Sequence, residues 1–292
     1  MNLTVCMKVA KNSLRGHWLR AMVVFSVWIS ASVFLTLLES LALTASRQSA
    51  LTFSLIGGII ALVMAVFSLL IVSPLKLGYK RWIWQRAAGA DPSVAEVLYA
   101  FGDIKTYFKV VRYKLLKYVY TFAVGFAFWL PGAVYSSLIQ RRITIPYAWL
   151  SDVLLIAAKV LVFAGTMIVI YQVLRYFVSD YVFFSDQNAK ARDVLRNASE
   201  MTVGHRAEEL VLVMRFTGWI LLCLFGFPLL YVSPYFEMTC ATYGHCICDQ
   251  WQRTAEFNSN GGSDNSETEP RQNQSEPISD TQVFNPVRNV IN

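Results

Sequence analysis

The chain has 292 residues, 55% of them hydrophobic and only 15% charged, at a net charge of +7. That composition lies outside the soluble globular range, and several runs approach the roughly 20 apolar residues needed to cross a bilayer core. Between Gln252 and Asn292 the carboxylates outnumber the arginines by three, so residues 1–251 carry +10. On such a chain positive charge marks cytoplasmic loops before it marks nucleic acid, and no nucleic-acid partner is expected.

Residues 1–17 place Leu3, Cys6, Ala10 and Leu14 on one helical face, with Lys8, Lys11 and Arg15 elsewhere on the same short helix. That pattern suits a helix lying among lipid headgroups. The apolar run 21–43 is too long for a signal-peptide core and reads as a retained first span. A second span, about 51–72, stops at Ser73-Pro74.

A basic loop follows from Leu75 to Lys117. Val97, Phe101, Ile104, Phe108, Val111 and Leu115 recur at helical intervals and trace one apolar stripe. Lys105, Lys109, Arg112, Lys114 and Lys117 fill the remaining surface, and Asp91-Pro92 has the form of a helix start. Two readings are open here. The amines sit among anionic headgroups, or they form a solvated basic face leading into the next span.

Spans three and four are expected over about 118–139, with Pro131-Gly132 inside, and about 149–174. An amphipathic helix over about 187–202 turns Ala191, Val194, Leu195, Ala198 and Met201 inward and stops at Gly204. The fifth span is expected over about 210–232, interrupted by Pro228. Beyond Trp251 the Asn/Ser/Glu/Pro-rich tail, 252–292, has too little apolar area to fold. The fold class is therefore all-α: a bundle of about five transmembrane helices over 1–251, with interfacial amphipathic helices and a disordered acidic tail.

Five spans put the N-terminus and the loops 75–117 and 175–209 on one side. That side holds 18 of the lysines and arginines, against Arg47, Arg141, Arg142 and nearby Arg253 on the other. Basic residues near span ends are retained in the cytoplasm. The N-terminus is expected inside a cell membrane and the tail outside.

No phosphate-binding loop, dinucleotide fingerprint or HExxH occurs, and His17 and His205 read as interfacial polar residues rather than bases. Glu208-Glu209 with Arg215 faintly resembles the paired glutamates of membrane CAAX-type proteases, but the spacing is wrong. Cys240, His245, Cys246 and Cys248 could supply soft ligands, but the cysteines lack structural-zinc spacing, so an exterior disulfide is favoured over a metal. Cys6 and Cys223 read as small packing residues. No enzyme activity and no cofactor are expected.

Lys159 lies well inside span four, where an ammonium costs about 2.5–3.5 kcal/mol. Glu39 and Asp152 are the carboxylates within reach; the other reading is a lysine snorkelling along its stem. Arg215, just inside span five, is expected to snorkel to the headgroups.

Four stretches in order carry a family resemblance. They are AKNSLRGHWLRAM, VSPLKLGYKRWIWQRAAGADPSVAEVLYAFGD, YVFFSDQNAKARDVLRNASEMTVGHR, and FTGWILL followed by SPY. The last supplies Phe216, Gly218, Trp219, Pro234 and Tyr235. His17 stands where the family has Asn, and Ser73 replaces its first Gly. Over about 10–250 the chain resembles the bacterial integral membrane proteins catalogued as domain of unknown function 975. The resemblance implies the architecture and a bacterial cell membrane, and no reaction. Two functions are carried forward: an envelope scaffold contacting anionic lipid or a protein partner through basic cytoplasmic helices, and a transporter or channel built on polar residues in broken helices.

Overall fold

The computed structural model describes residues 3–46, 53–140, 148–185, 189–223 and 226–261. Among them every regular element is helical. They run α1 (Leu3–Leu14), α2 (Trp18–Ser46), α3 (Phe53–Phe67), a π segment (Ser68–Val72), α4 (Ser73–Ala87) and a 3-10 helix (Val94–Phe101). Then come α5 (Ile104–Gln140), α6 (Ala148–Arg175), α7 (Ser179–Ser185), α8 (Ala191–Met201), α9 (Arg206–Leu222) and α10 (Phe227–Gly261). Three stretches among the described residues, Trp18–Thr44, Ile59–Ala87 and Val153–Ser185, are long and apolar enough to cross a membrane.

The molecule divides into a packed base and projecting apolar arms. The base joins α1, the start of α2, α4, the 3-10 helix, the start of α5, α7, α8 and the later part of α10. Leu14, Phe25, Trp82, Tyr113, Val194 and Met238 are buried together there. The arms are the far ends of α2, α3, α5 and α6, where Phe34, Leu41, Leu62, Phe126, Ile156 and Phe163 stand exposed. In water so much exposed apolar surface would be unfavourable; a bilayer removes the penalty.

The arms α5 and α6 run antiparallel, because partners on α6 fall in number as those on α5 rise. Tyr120 meets Tyr176, Gly125 meets Val169, Trp129 Nε1 donates to Thr166 Oγ1 at 3.3 Å, and Gly132 meets Val162. A Cβ at Gly132 would sit 2.6 Å from Val162 Cγ2, so the backbones approach as closely as glycine permits. Pro131 lies within α5 without ending it.

The base differs from the sequence reading at several places. Asp91 does not start a helix; its carboxylate takes Arg20 at 2.9 Å, His17 at 3.5 Å and Arg86 at 3.7 Å. The 3-10 helix folds back along α4, held by Arg81–Glu96 (3.2 Å) and by Trp82 Nε1 donating to the Pro92 carbonyl (3.1 Å). The helix starts afresh at α5, where Asp103 accepts the Thr106 N–H at 3.2 Å as an N-cap. The face of Leu3, Cys6, Ala10 and Leu14 does form, but it packs on α10 and the base instead of lying free among headgroups. In α8 the inward residues Ala191, Val194, Leu195 and Ala198 are buried as expected, with Met201 partly so.

The largest difference lies at 210–232. Where one fifth span is expected, the chain forms a helical hairpin. Trp219 lines a cavity with Tyr231, Phe216 packs on Tyr235 and Phe236, and Tyr243 reaches His205 and Glu208. Such falling partner numbers require α10 to return alongside α9. The reversal has local causes: Gly226 takes φ +79°, a left-handed turn, and Pro228 sits in the first turn of α10, where its missing N–H costs nothing. The apolar part of α9, Leu210 to Leu222, is about 20 Å long and too short to cross a bilayer core. The cysteines likewise depart from the exterior-disulfide expectation. All five are free, and Cys240, Cys246 and Cys248 are buried on α10, with Cys6 of α1 against Cys246. Residues 262–292, most of the tail, lie outside the described residues.

Candidate functional site

The feature of the base that packing alone does not explain is a cluster of buried charge where α4, α5, α7 and α10 meet. Its centre is Asp180, 2% exposed, set in the first turn of α7 just after the chain leaves α6. On α5, Tyr113, Lys114 and Lys117 share a face by their spacing of three and four. Lys114 Nζ donates to Asp180 Oδ1 at 2.8 Å, Lys117 Nζ at 3.0 Å and the Tyr113 hydroxyl at 2.8 Å. From α4, Lys80 Nζ reaches Asp180 Oδ2 at 3.0 Å and Glu237 Oε2 of α10 at 3.6 Å. The Tyr181 hydroxyl completes the ring, 3.4 Å from Glu237 Oε2.

One turn before Lys80 on α4, the Lys76 ammonium lies 5.1 Å from the centre of the Trp28 ring. No carboxylate among the described residues is within ion-pair distance of it. Four ammonium groups, Lys76, Lys80, Lys114 and Lys117, thus share two carboxylates. Such an excess is costly in a buried setting. Burial drives the Lys117 ammonium down to about 7, the neighbouring Lys114 and Lys80 charges adding to the effect and Asp180 opposing it. Lys114 is likewise lowered, first by burial.

The basic residues singled out from the sequence therefore divide. Lys114 and Lys117 are turned into the base. Lys105 and Arg112 remain exposed, and Lys109 lies over the Phe183 ring at 5.5 Å. Four of the stripe residues, Phe101, Ile104, Phe108 and Leu115, are exposed on the same stretch; Val97 is buried under α4 and Val111 is half-buried.

The intramembrane candidates do not come together. Lys159 is exposed on the outside of α6 and Glu39 is half-exposed on α2, with no ion pair between them. The side chain of Asp152 lies outside the described residues. Arg215 is exposed and donates to Thr4 Oγ1 at 3.1 Å, tying α9 to α1. In the hairpin, Phe216 is fully buried against Tyr235, Gly218 is open, and Trp219 lines a small cavity with Lys11, Tyr231, Val232 and Tyr235. Pro234 is carried within α10.

Sequence reasoning missed Asp180, Glu237 and Lys80. A signal for Asp180 was present: a lone acid in the apolar run RYFVSDYVFF must be paired if buried. Glu209, noticed in the sequence only as half of a glutamate pair, is fully buried with neither carboxylate oxygen hydrogen-bonded. Burial raises that carboxyl to about 8, with Glu208 reinforcing and Arg206 opposing. Its neighbour Glu208 is bound instead, to His205 at 3.3 Å. Among the described residues no group of three or more His, Cys, Asp or Glu is placed to hold a metal.

Comparison with known proteins agrees with the resemblance seen in the motifs. The family described as "Protein of unknown function (DUF975)" matches residues 1–250. No curated protein matches the chain. No solved structure matches it either. With all but the final stretch of the sequence covered by that match, the chain belongs to the DUF975 family.

Proposed function

We propose that this is a non-enzymatic protein of a bacterial cell membrane whose cytoplasmic base docks against anionic lipid along α5. The observation that carries the reading is the exposed stripe Phe101, Ile104, Phe108 and Leu115 flanked by the free-standing cations Lys105 and Arg112. Apolar side chains sink below the headgroups while cations meet their phosphates, at about 1 kcal/mol per basic residue near the surface. In nanodiscs of mixed anionic and zwitterionic lipid, the full-length protein should enrich anionic lipid in its annulus. Lys105→Gln with Arg112→Gln should reduce that enrichment; an unchanged annulus would overturn the reading.

The orientation belongs to the same proposal. α5 accompanies α6 across the same slab, so α2, α3 with α4, α5 and α6 make four crossings, and the α9–α10 hairpin returns to its starting side. Both termini then lie in the cytoplasm, which leaves Arg47, Arg141 and Arg142 as the outward basic residues. A C-terminal tag should resist protease in intact spheroplasts; its removal would restore a fifth crossing.

Transport is the second reading, favoured by the buried charges around Asp180 within the apolar stretch Val153–Ser185, since paired ionisable groups inside membrane segments mark ion pathways. Proteoliposomes showing a solute or proton flux that Asp180→Asn abolishes would establish it in place of the scaffold role.

A further inference from the structure

The cation excess beside Asp180 has a local focus between α2 and α4. The Trp28 indole N–H is buried without an acceptor. The stacked Tyr79 ring, 6.1 Å away and 5° from parallel, carries a hydroxyl that faces Ser233 without completing a hydrogen bond. Lys76 stands over the same Trp28 ring and has no carboxylate partner among the described residues. These are donors wanting an acceptor, and buried donors normally find one. Behind them lie Lys80, Lys114 and Lys117, whose charge Asp180 and Glu237 only partly balance. Lys76 and Trp28 are half-buried, while the Trp28 Nε1 and Tyr79 hydroxyl atoms themselves are covered.

We propose that the α2–α4 junction binds an oxyanion of the phosphate class, held by Lys76 Nζ and Trp28 Nε1 with Tyr79 as an auxiliary donor. A tetrahedral oxyanion supplies several acceptors to a donor-rich site and brings negative charge to a cluster in which lysines outnumber carboxylates. A carboxylate offers two oxygens in one plane and matches less well. The same chemistry is offered by inorganic phosphate and by a phosphomonoester lipid headgroup. The site is separate from the α5 stripe and does not depend on it.

The test uses the full-length protein in neutral detergent, with thermal melting and calorimetric titration as readouts. Inorganic phosphate is one probe, micellar phosphatidic acid the second, and sodium chloride at matched ionic strength the control, with phosphatidylcholine as the neutral lipid. Phosphate or phosphatidic acid should raise the melting temperature beyond its control. Lys76→Gln should weaken that binding about ten-fold, the scale of one charge-assisted hydrogen bond. Trp28→Phe keeps the ring, removes the N–H and should weaken binding less. Arg253→Gln, an exposed cation on α10, should leave it unchanged. A response to phosphate alone assigns a soluble ligand, and one to phosphatidic acid alone assigns a headgroup. No response beyond the controls overturns the proposal, as does a response that Lys76→Gln and Trp28→Phe leave intact. The outcome is independent of the annulus measurement on Lys105 and Arg112, so either can fail without the other.

Discussion

The base around Asp180 and the arms α5–α6 solve the same problem, holding helices side by side, by opposite means. The arms rely on close backbone approach at small residues such as Gly132, with few polar bonds. The base relies on aromatic packing around a dense set of charges. The lysines show the contrast best. Lys114 in the base is buried against Asp180, whereas Lys159 on the arms is exposed and has no ion-pair partner among the described residues. What a lysine does here is decided by whether a carboxylate from another helix meets it.

If that contrast is right, the largest effect should come from Asp180→Asn. It strands Lys114 and Lys117, leaves Lys80 with Glu237 alone, and should destabilise the protein by about 3–5 kcal/mol in detergent unfolding. Adding Lys114→Met should recover part of the loss. A neutral Asp180→Asn would dissolve the distinction between base and arms.

Gly132→Leu attacks the arms instead. Overpacking against Val162 should cost about 1–3 kcal/mol, read by the same unfolding measurement. Combined with Asp180→Asn the effect should be additive, because the two sites share no partner.

A third effect is a pH dependence set by α9 and the base and absent from the arms. The Glu209 carboxyl is raised from 4.5 to about 8, so the folded state holds a proton that the unfolded chain has released. That contribution is full at low pH and is lost as pH rises through this window, by up to about 1.4 kcal/mol per unit. Lys117, lowered to about 7, acts oppositely and only above that pH. Melting between pH 5 and 7 should therefore show stability falling with pH. Glu209→Gln should flatten the profile and Lys117→Met should not.

The smallest effect is expected at Lys159. Its exposed position predicts that Lys159→Leu changes stability by about 0.5 kcal/mol or less, and that Glu39→Gln adds independently. A coupling between the two would bring the arms a buried pair after all.

Much of this was legible in the sequence, and the failures have physical reasons. Apolar runs showed the membrane arms, and helical periodicity showed the buried faces of α1 and α8, because both are properties of one segment. The hairpin was not seen, although Gly226, Phe227 and Pro228 spell a reversal, because hydropathy averaged over 210–232 hides a turn. The Asp180 cluster was hidden for a different reason: it gathers residues from 80, 114, 117, 180 and 237. Spacing within a helix told which lysines share a face, but not which face meets an acid.

The π segment has a consequence for how α4 is presented. There the Ser73 N–H bonds the Ser68 carbonyl, five residues back instead of four. One residue more per turn shifts rotational phase by about 100°. α3 and α4 are continuous along their axis yet face different ways. The wound-out turn lets one rod show an exposed side to its surroundings over Ile59–Phe67 and a buried side to the base over Leu75–Ala87. Removing a single residue from Ser68–Val72 would keep the hydropathy profile and the length of the rod nearly intact. It would still swing Lys76, Lys80 and Trp82 about a quarter turn away from Trp28, Asp180 and Pro92. Indels should therefore be tolerated far less in these five residues than their plain apolar character suggests.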